Sequence, residues 1–238
     1  DEKLRTHTFC HAVPGKWHVM GVMLSAGGSL RWMRDTLCGA EMEVARGLGM
    51  DPYEVMTGEA AGAPIGSEGL IFLPYLTGER VPHPDPNARG VFFGLSLRHS
   101  KAHMIRAVLE GVAYGLRDSF EIIEAMGVGI AEVRASGGGA RSELWRQIQT
   151  DVTGYPHSTV NVDEGPAYGA ALLAAVAAGT FGSVEDACAT TIRVVDAPVV
   201  DADDHALYTR WHRLYQQLYP RLEGQFAAAA KLVEESSQ

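Results

Sequence analysis

The sequence predicts an α/β fold, and three stretches predict it. In residues 132–154, EVRASGGGARSELWRQIQTDVTG, Val133 and Ala135 alternate with polar neighbours, whereas Leu144, Ile148 and Val152 recur four apart. The hydrophobic period therefore switches from two to 3.6 across three glycines, which marks a strand, a turn and a helix. Residues 69–76, GLIFLPYL, form a nearly continuous apolar run of the kind a buried strand carries. Residues 103–126 give the clearest helix: Ile105, Val108, Leu109, Val112, Leu116, Phe120 and Ile123 make one apolar stripe, and Gly127 ends it.

The glycine stretch also suggests chemistry. Gly137, Gly138 and Gly139 carry no side chains, so a ligand can lie against the backbone there. The first amides of the helix that starts near Ser142 point at such a ligand. A nucleotide suits this arrangement; a plain tight turn between strand and helix suits it equally well.

Composition narrows the function class. A chain of 238 residues, 46% hydrophobic, is long enough to bury a substantial core. Its net charge of -9 argues against nucleic acid or an anionic membrane as a partner, since neither polyanion gains from meeting a net anion. No apolar run approaches the roughly 18 residues a membrane span needs, and Asp1-Glu2-Lys3 is no signal-peptide start. Three widely spaced cysteines, Cys10, Cys38 and Cys188, fit reduced thiols and a cytoplasmic setting.

Along the chain, residues 4–23 alternate well enough for two strands joined at Pro14-Gly15. His7, Cys10, His11 and His18 lie there, but no zinc spacing matches them, and His99 with His103 lacks a third ligand; no metal is expected. Residues 25–38, SAGGSLRWMRDTLC, open a second helix from glycines, with Leu30, Met33, Arg34 and Leu37 at helical spacing and Gly39 as its stop. Gly27 and Gly28 can therefore face the same ligand from the other side, and Arg31, one turn in, either reaches it or is solvated. Residues 41–68 are helix and loop, with Pro52 in a first helical turn. Pro82, Pro84 and Pro86 fix a long loop, where Glu79, Arg80, Asp85 and Arg89 are expected to be structural.

Residues 90–95 and 157–162 read as strands. Residues 165–179 read as a helix whose small face, Ala167, Gly169, Ala170, Ala171, Ala174 and Ala175, packs against a neighbour, with Asp163 and Glu164 capping its start. A last helix from about His205 buries Tyr208, Trp211, Tyr215, Leu218 and Leu222, is kinked or ended by Pro220, and frays after Leu232.

Four stretches carry a more specific resemblance. GVFFGLSLRHSKAHMIRAVLEG, residues 90–111, resembles the C-terminal signature of the FGGY carbohydrate kinases: Gly-x-aromatic-x-Gly-aliphatic, a spacer, then a His-Met helix start running to Glu110. LPYLTGERVPHPDPNARGVFFGL, ASGGGARSELWRQIQTDVTG and VDEGPAYGAALLAAVAAG are similar, in order and spacing, to the xylulose-kinase branch of that family, and the resemblance runs from about Thr8 to Tyr219. It implies the actin-like ATPase (ribonuclease H-like) fold of a two-domain sugar kinase in which sugar and MgATP meet between the domains. Residues 1–238 would be the C-terminal, nucleotide-side domain, incomplete at its N-terminus. The family's catalytic Asp motif and its upstream Gly-Thr phosphate loops have no counterpart in these residues, so no catalytic residue is assigned here.

The resemblance also implies site residues. The family's adenosine loop matches Ser136 to Ser142, with Gly137, Gly138 and Gly139 against the nucleotide and Ser142 near the base. A Gly and a Gln that bind ATP in glycerol-kinase relatives match Gly27 and Arg31, with an Arg in place of the Gln. The implied cofactors are ATP and Mg²⁺. The implied substrate is a pentulose, most readily D-xylulose, and the implied partner an N-terminal kinase domain; a homodimer is left open, and nucleic acid and membrane are excluded. Two other readings stand beside it: a non-catalytic actin-like nucleotide-binding module, and a dinucleotide-binding oxidoreductase suggested by Gly137-x-Gly139, which fails at Ser142 in the third glycine position. The roles of Glu79, Arg80 and Glu110 are open at this stage.

Overall fold

Helix α4, Lys101–Ala125, has more packing partners than any other element among the described residues. The computed structural model describes residues 1–162 and 165–237. The opening strands β1, His7–Cys10, and β2, Trp17–Met20, form an antiparallel hairpin with His7 opposite Met20. Three helices follow: α1, Ala26–Leu37, α2, Gly39–Leu48, and α3, Pro52–Ala60. Cys38, rather than the expected Gly39, ends α1 as its C-cap and is also the N-cap of α2, and Pro52 opens α3, where its missing N–H costs nothing.

The apolar run at 69–76 is a strand only over β3, Ile71–Leu73, because Pro74 has no N–H with which to extend the ladder. β3 pairs antiparallel with β4, Val91–Phe93. The proline-fixed loop between them is held by its own polar groups. Asp85 accepts from Asn87 N at 2.7 Å and from Tyr219 Oη at 3.0 Å, and Arg89 donates to the carbonyls of Pro86 and Ala88.

A third sheet orders β5, Val133–Arg134, β6, His157–Val160, and β7, Val194–Asp196, with β5 and β6 parallel and β7 antiparallel to β6. Helix α5, Glu143–Thr153, is the crossover between the parallel pair and lies on α4. Helices α6, Gly165–Ala177, and α7, Val184–Thr191, pack on each other; α8, Ala202–Gln216, lies on α5 and α4.

The single apolar stripe expected on α4 is too narrow. From Ile105 to Gly115 the helix is buried all round, Arg106 and Glu110 included, because β3, α1, α3 and α5 surround it. Gly111 lets β3 come this close: a Cβ there would lie 2.2 Å from Phe72 O. The buried charges form a closed network. Arg106 Nε donates to Glu110 Oε1 at 2.8 Å, and its other nitrogens reach Ala63 O and Tyr208 Oη at 2.9 Å each. Glu110 also accepts from Gly66 N at 3.1 Å and Tyr208 Oη at 3.0 Å. It thereby anchors residues 66–68, where Ser67 and Glu68 hold the uncommon φ of 46° and 52°. Further along, His212 Nε2 meets Asp118 Oδ1 at 2.9 Å and ties α8 to α4.

Three expectations fail in detail. The final helix breaks at Gln217, before Pro220, which sits in the first turn of α9, Leu218–Ser236. That helix continues past Leu232 to Ser236 instead of fraying. On α6 only Leu172 is buried among the described residues, and Ala167, Gly169, Ala170, Ala171 and Ala174 of the small-residue face are exposed although α7 lies against the helix. The capping reading of Asp163 and Glu164 falls outside the described residues.

Candidate functional site

Two glycine-opened helix starts converge on one cavity of about 410 Å³, within the range of small-molecule sites. Gly27, Gly28, Leu30 and Arg31 of α1 form one wall, and Gly138, Gly139, Arg141, Ser142 and Trp145 form another. Helix α3 closes a third side with Asp51, Tyr53, Glu54 and Thr57. The apolar parts are anchored from behind. Trp145 is buried and its Nε1 donates to Leu109 O at 3.1 Å, while Arg34 stands 5.0 Å over the Tyr53 ring.

Five of the six residues singled out in the sequence, Gly27, Arg31, Gly138, Gly139 and Ser142, share this cavity. Gly137 does not. It lines a neighbouring cavity of about 220 Å³ together with Ser136, Arg141 and Arg146. Its φ of 75° and ψ of -168° lie where only glycine is comfortable, so its part is to shape the turn. Ser142 has a capping role, its Oγ accepting from Trp145 N at 3.3 Å. Sequence reasoning missed Asp51, Tyr53, Glu54, Thr57, Arg141 and Trp145. Arg141 sits inside the quoted glycine motif and was within reach; α3 carries no motif.

The walls suit a bulky ligand that lies on bare backbone within reach of two arginines. A Cβ built on Gly27, Gly28 or Gly138 meets nothing within 4 Å, so bare backbone faces open space. Nearby arginines are paired, Arg34 with Asp35 and Arg146 with Asp196, but among the described residues no ion pair engages Arg31 or Arg141. Two carboxylates share the lining, Glu54 and Asp51, the latter capping α3 by accepting from Tyr53 N at its Oδ1 at 2.9 Å.

The N-terminus of α1 is held from outside. Its Ser25 makes no side-chain cap; the hydroxyl instead meets Thr77 Oγ1 at 2.8 Å. Glu79 Oε1 accepts from Leu24 N at 3.0 Å, and burial pushes that carboxyl up to about 7 despite backbone N–H donors that pull it down.

The model of the FGGY family of carbohydrate kinases, C-terminal domain, matches residues 1–178. The chain belongs to this family. Xylulose kinase of Staphylococcus epidermidis is 38% identical over 213 residues, which cover 90% of this chain and 41% of that protein. Gluconokinase of Bacillus subtilis is 40% identical over 235 residues, 97% of this chain and 45% of that protein. The crystal structure of xylulose kinase from Rhodospirillum rubrum superposes with a TM-score of 0.81 at 32% identity, over 94% of this chain and 43% of that one. This FGGY chain thus spans less than half the length of these relatives. Its fold is the actin-like ATPase fold of their C-terminal domain. No helix among the described residues is long and apolar enough to cross a membrane.

Proposed function

We propose that this chain is the nucleotide-side domain, residues 1–238, of an ATP-dependent sugar kinase that transfers the γ-phosphoryl group to a pentulose, D-xylulose before gluconate. The observation that carries the reading is the convergence of the two glycine-opened helix starts on one cavity, with two arginines that no ion pair engages among the described residues, in a chain of a sugar-kinase family. In this reading ATP lies against the backbone of Gly27, Gly28, Gly138 and Gly139. Tyr53 and Trp145 border its apolar part, and Arg31 and Arg141 supply positive charge. Bound Mg²⁺ would neutralise phosphate charge, and the carboxylates of the lining, Asp51 and Glu54, are the groups here that would help to hold it or its water. The sugar and the base that activates its hydroxyl belong to a partner domain in this scheme. D-xylulose is preferred because xylulose kinases recur more often than gluconate kinases among the similar proteins, by both sequence and structure.

Separate calorimetric titrations of ATP and NAD into the chain test the nucleotide reading. ATP should bind, and selective binding of NAD would overturn it in favour of a dinucleotide enzyme. Assaying a full-length protein that contains this chain with D-xylulose and gluconate tests the substrate: faster turnover of gluconate would move the assignment to gluconokinase.

A further inference from the structure

We propose that Glu79 is a positioning residue for the cavity: it holds the segment that feeds α1, so that Gly27, Gly28 and Arg31 face the nucleotide, and it holds more tightly when ionised. The inference rests on the nucleotide reading above. Three contacts pin residues 22–25 to the loop that begins at Thr77. Val81 N donates to Val22 O at 3.2 Å, Leu24 N donates to Glu79 Oε1 at 3.0 Å, and the hydroxyls of Ser25 and Thr77 meet at 2.8 Å. α1 begins at the next residue, Ala26, and has no side-chain cap of its own. Its first turn therefore takes its direction from this loop.

Glu79 is the one ionisable member of the clamp. It is 3% exposed, its Oε1 takes a second bond from Arg80 N at 2.8 Å, and its buried Oε2 has no partner. The nearby hydroxyls of Tyr75 and Tyr215 meet each other at 3.2 Å and are kept neutral by burial, and the side chain of Arg80 is exposed. No cation is thus present among these neighbours to hold the carboxyl ionised, and burial lifts it to about 7. In the acid form the proton rests on Oε2, where nothing accepts it, and Oε1 stays a neutral acceptor. Ionisation turns both N–H bonds into charge-assisted ones and tightens the grip on Leu24.

The test is ATP affinity of the chain from pH 5.5 to 8.5 by calorimetry, for the parent and for Glu79→Gln, whose amide mimics the acid form. ATP's own ionisation affects both proteins alike. The parent should gain affinity over the variant as pH rises through about 7, on the order of fivefold. Parallel curves would overturn the proposal. A second measurement needs no ligand or variant: the amide ¹⁵N shift of Leu24 should titrate with an inflection near 7, and a flat profile would overturn the proposal even if Glu79→Gln failed to fold. A titrating Leu24 amide without ATP binding at any pH would instead sink the nucleotide reading and leave the clamp standing.

Discussion

Gly138 and Gly137 are neighbours with different duties, and substitution should separate them. A Cβ at Gly138 points into open space, so Gly138→Val should keep the fold and put a branched side chain where the nucleotide lies. We expect a thermal midpoint within a degree or two of the parent and a loss of about tenfold or more in ATP affinity, read by calorimetry. Equal affinity would remove the glycine loop from the site. Arg31→Ala should cost about 1 kcal/mol, the scale of one charge-assisted contact, and should flatten the salt dependence of ATP binding; unchanged affinity across a salt series would return Arg31 to solvent. The sequence exposed these residues because a glycine before a helix is visible in one dimension. Tyr53, Glu54 and Thr57 were hidden because α3 has no motif, and only its placement beside α1 brings them to the cavity.

Elements show where pattern reading succeeds and where packing overrules it. The switch of period across the glycines gave β5, the turn and α5, since a parallel strand pair needs that crossover. Of the predicted stripe on α4 only Ile105, Val108, Leu109 and Val112 are buried, while Leu116, Phe120 and Ile123 are half-buried: a helix wrapped on every side can carry Arg106 and Glu110 only as a closed network, and periodicity does not register such a pair. Burial raises the Glu110 carboxyl and Arg106 opposes the rise. Glu110→Ala should therefore strand a buried guanidinium and lower stability by about 3–5 kcal/mol in urea unfolding, well beyond the cost of a lost surface pair. A change under 1 kcal/mol would mean that water replaces the carboxylate.

The loop clamp carries a pH signature of its own. Glu79 has a folded value of about 7 against an ordinary 4.5, so the folded chain binds more protons than the unfolded chain between these values. Its contribution is fully present below 4.5 and is lost as pH rises through 7, a difference of about 3 kcal/mol. Glu79→Gln should remove that slope from urea midpoints measured across the same window, and an identical slope in the variant would show that other groups produce it. The ionisation that tightens the local hold on Leu24 is thus one the fold as a whole resists.

At the scale of the molecule, the sequence told the family through four separated stretches, while the cavity arises only from how α1, α3 and α5 are arranged around α4. The exposed small-residue face of α6 shows the limit of that reading: a pattern made for close packing identifies a surface without identifying what meets it. The proposed division of labour leads to the last expectation. Phosphoryl transfer draws most of its acceleration from holding the acceptor hydroxyl in line and neutralising charge, with little covalent chemistry left to the protein. In that division these residues supply charge and the cavity proposed for the nucleotide, and the Asp base lies outside them. The chain alone should bind ATP and release no ADP in response to D-xylulose, read in a coupled assay. Adding the N-terminal domain of a full-length relative, fused or in trans, should restore turnover, and mutating that domain's Asp base should abolish it again. Robust phosphorylation of D-xylulose by the isolated chain would place the base within these 238 residues and overturn the division.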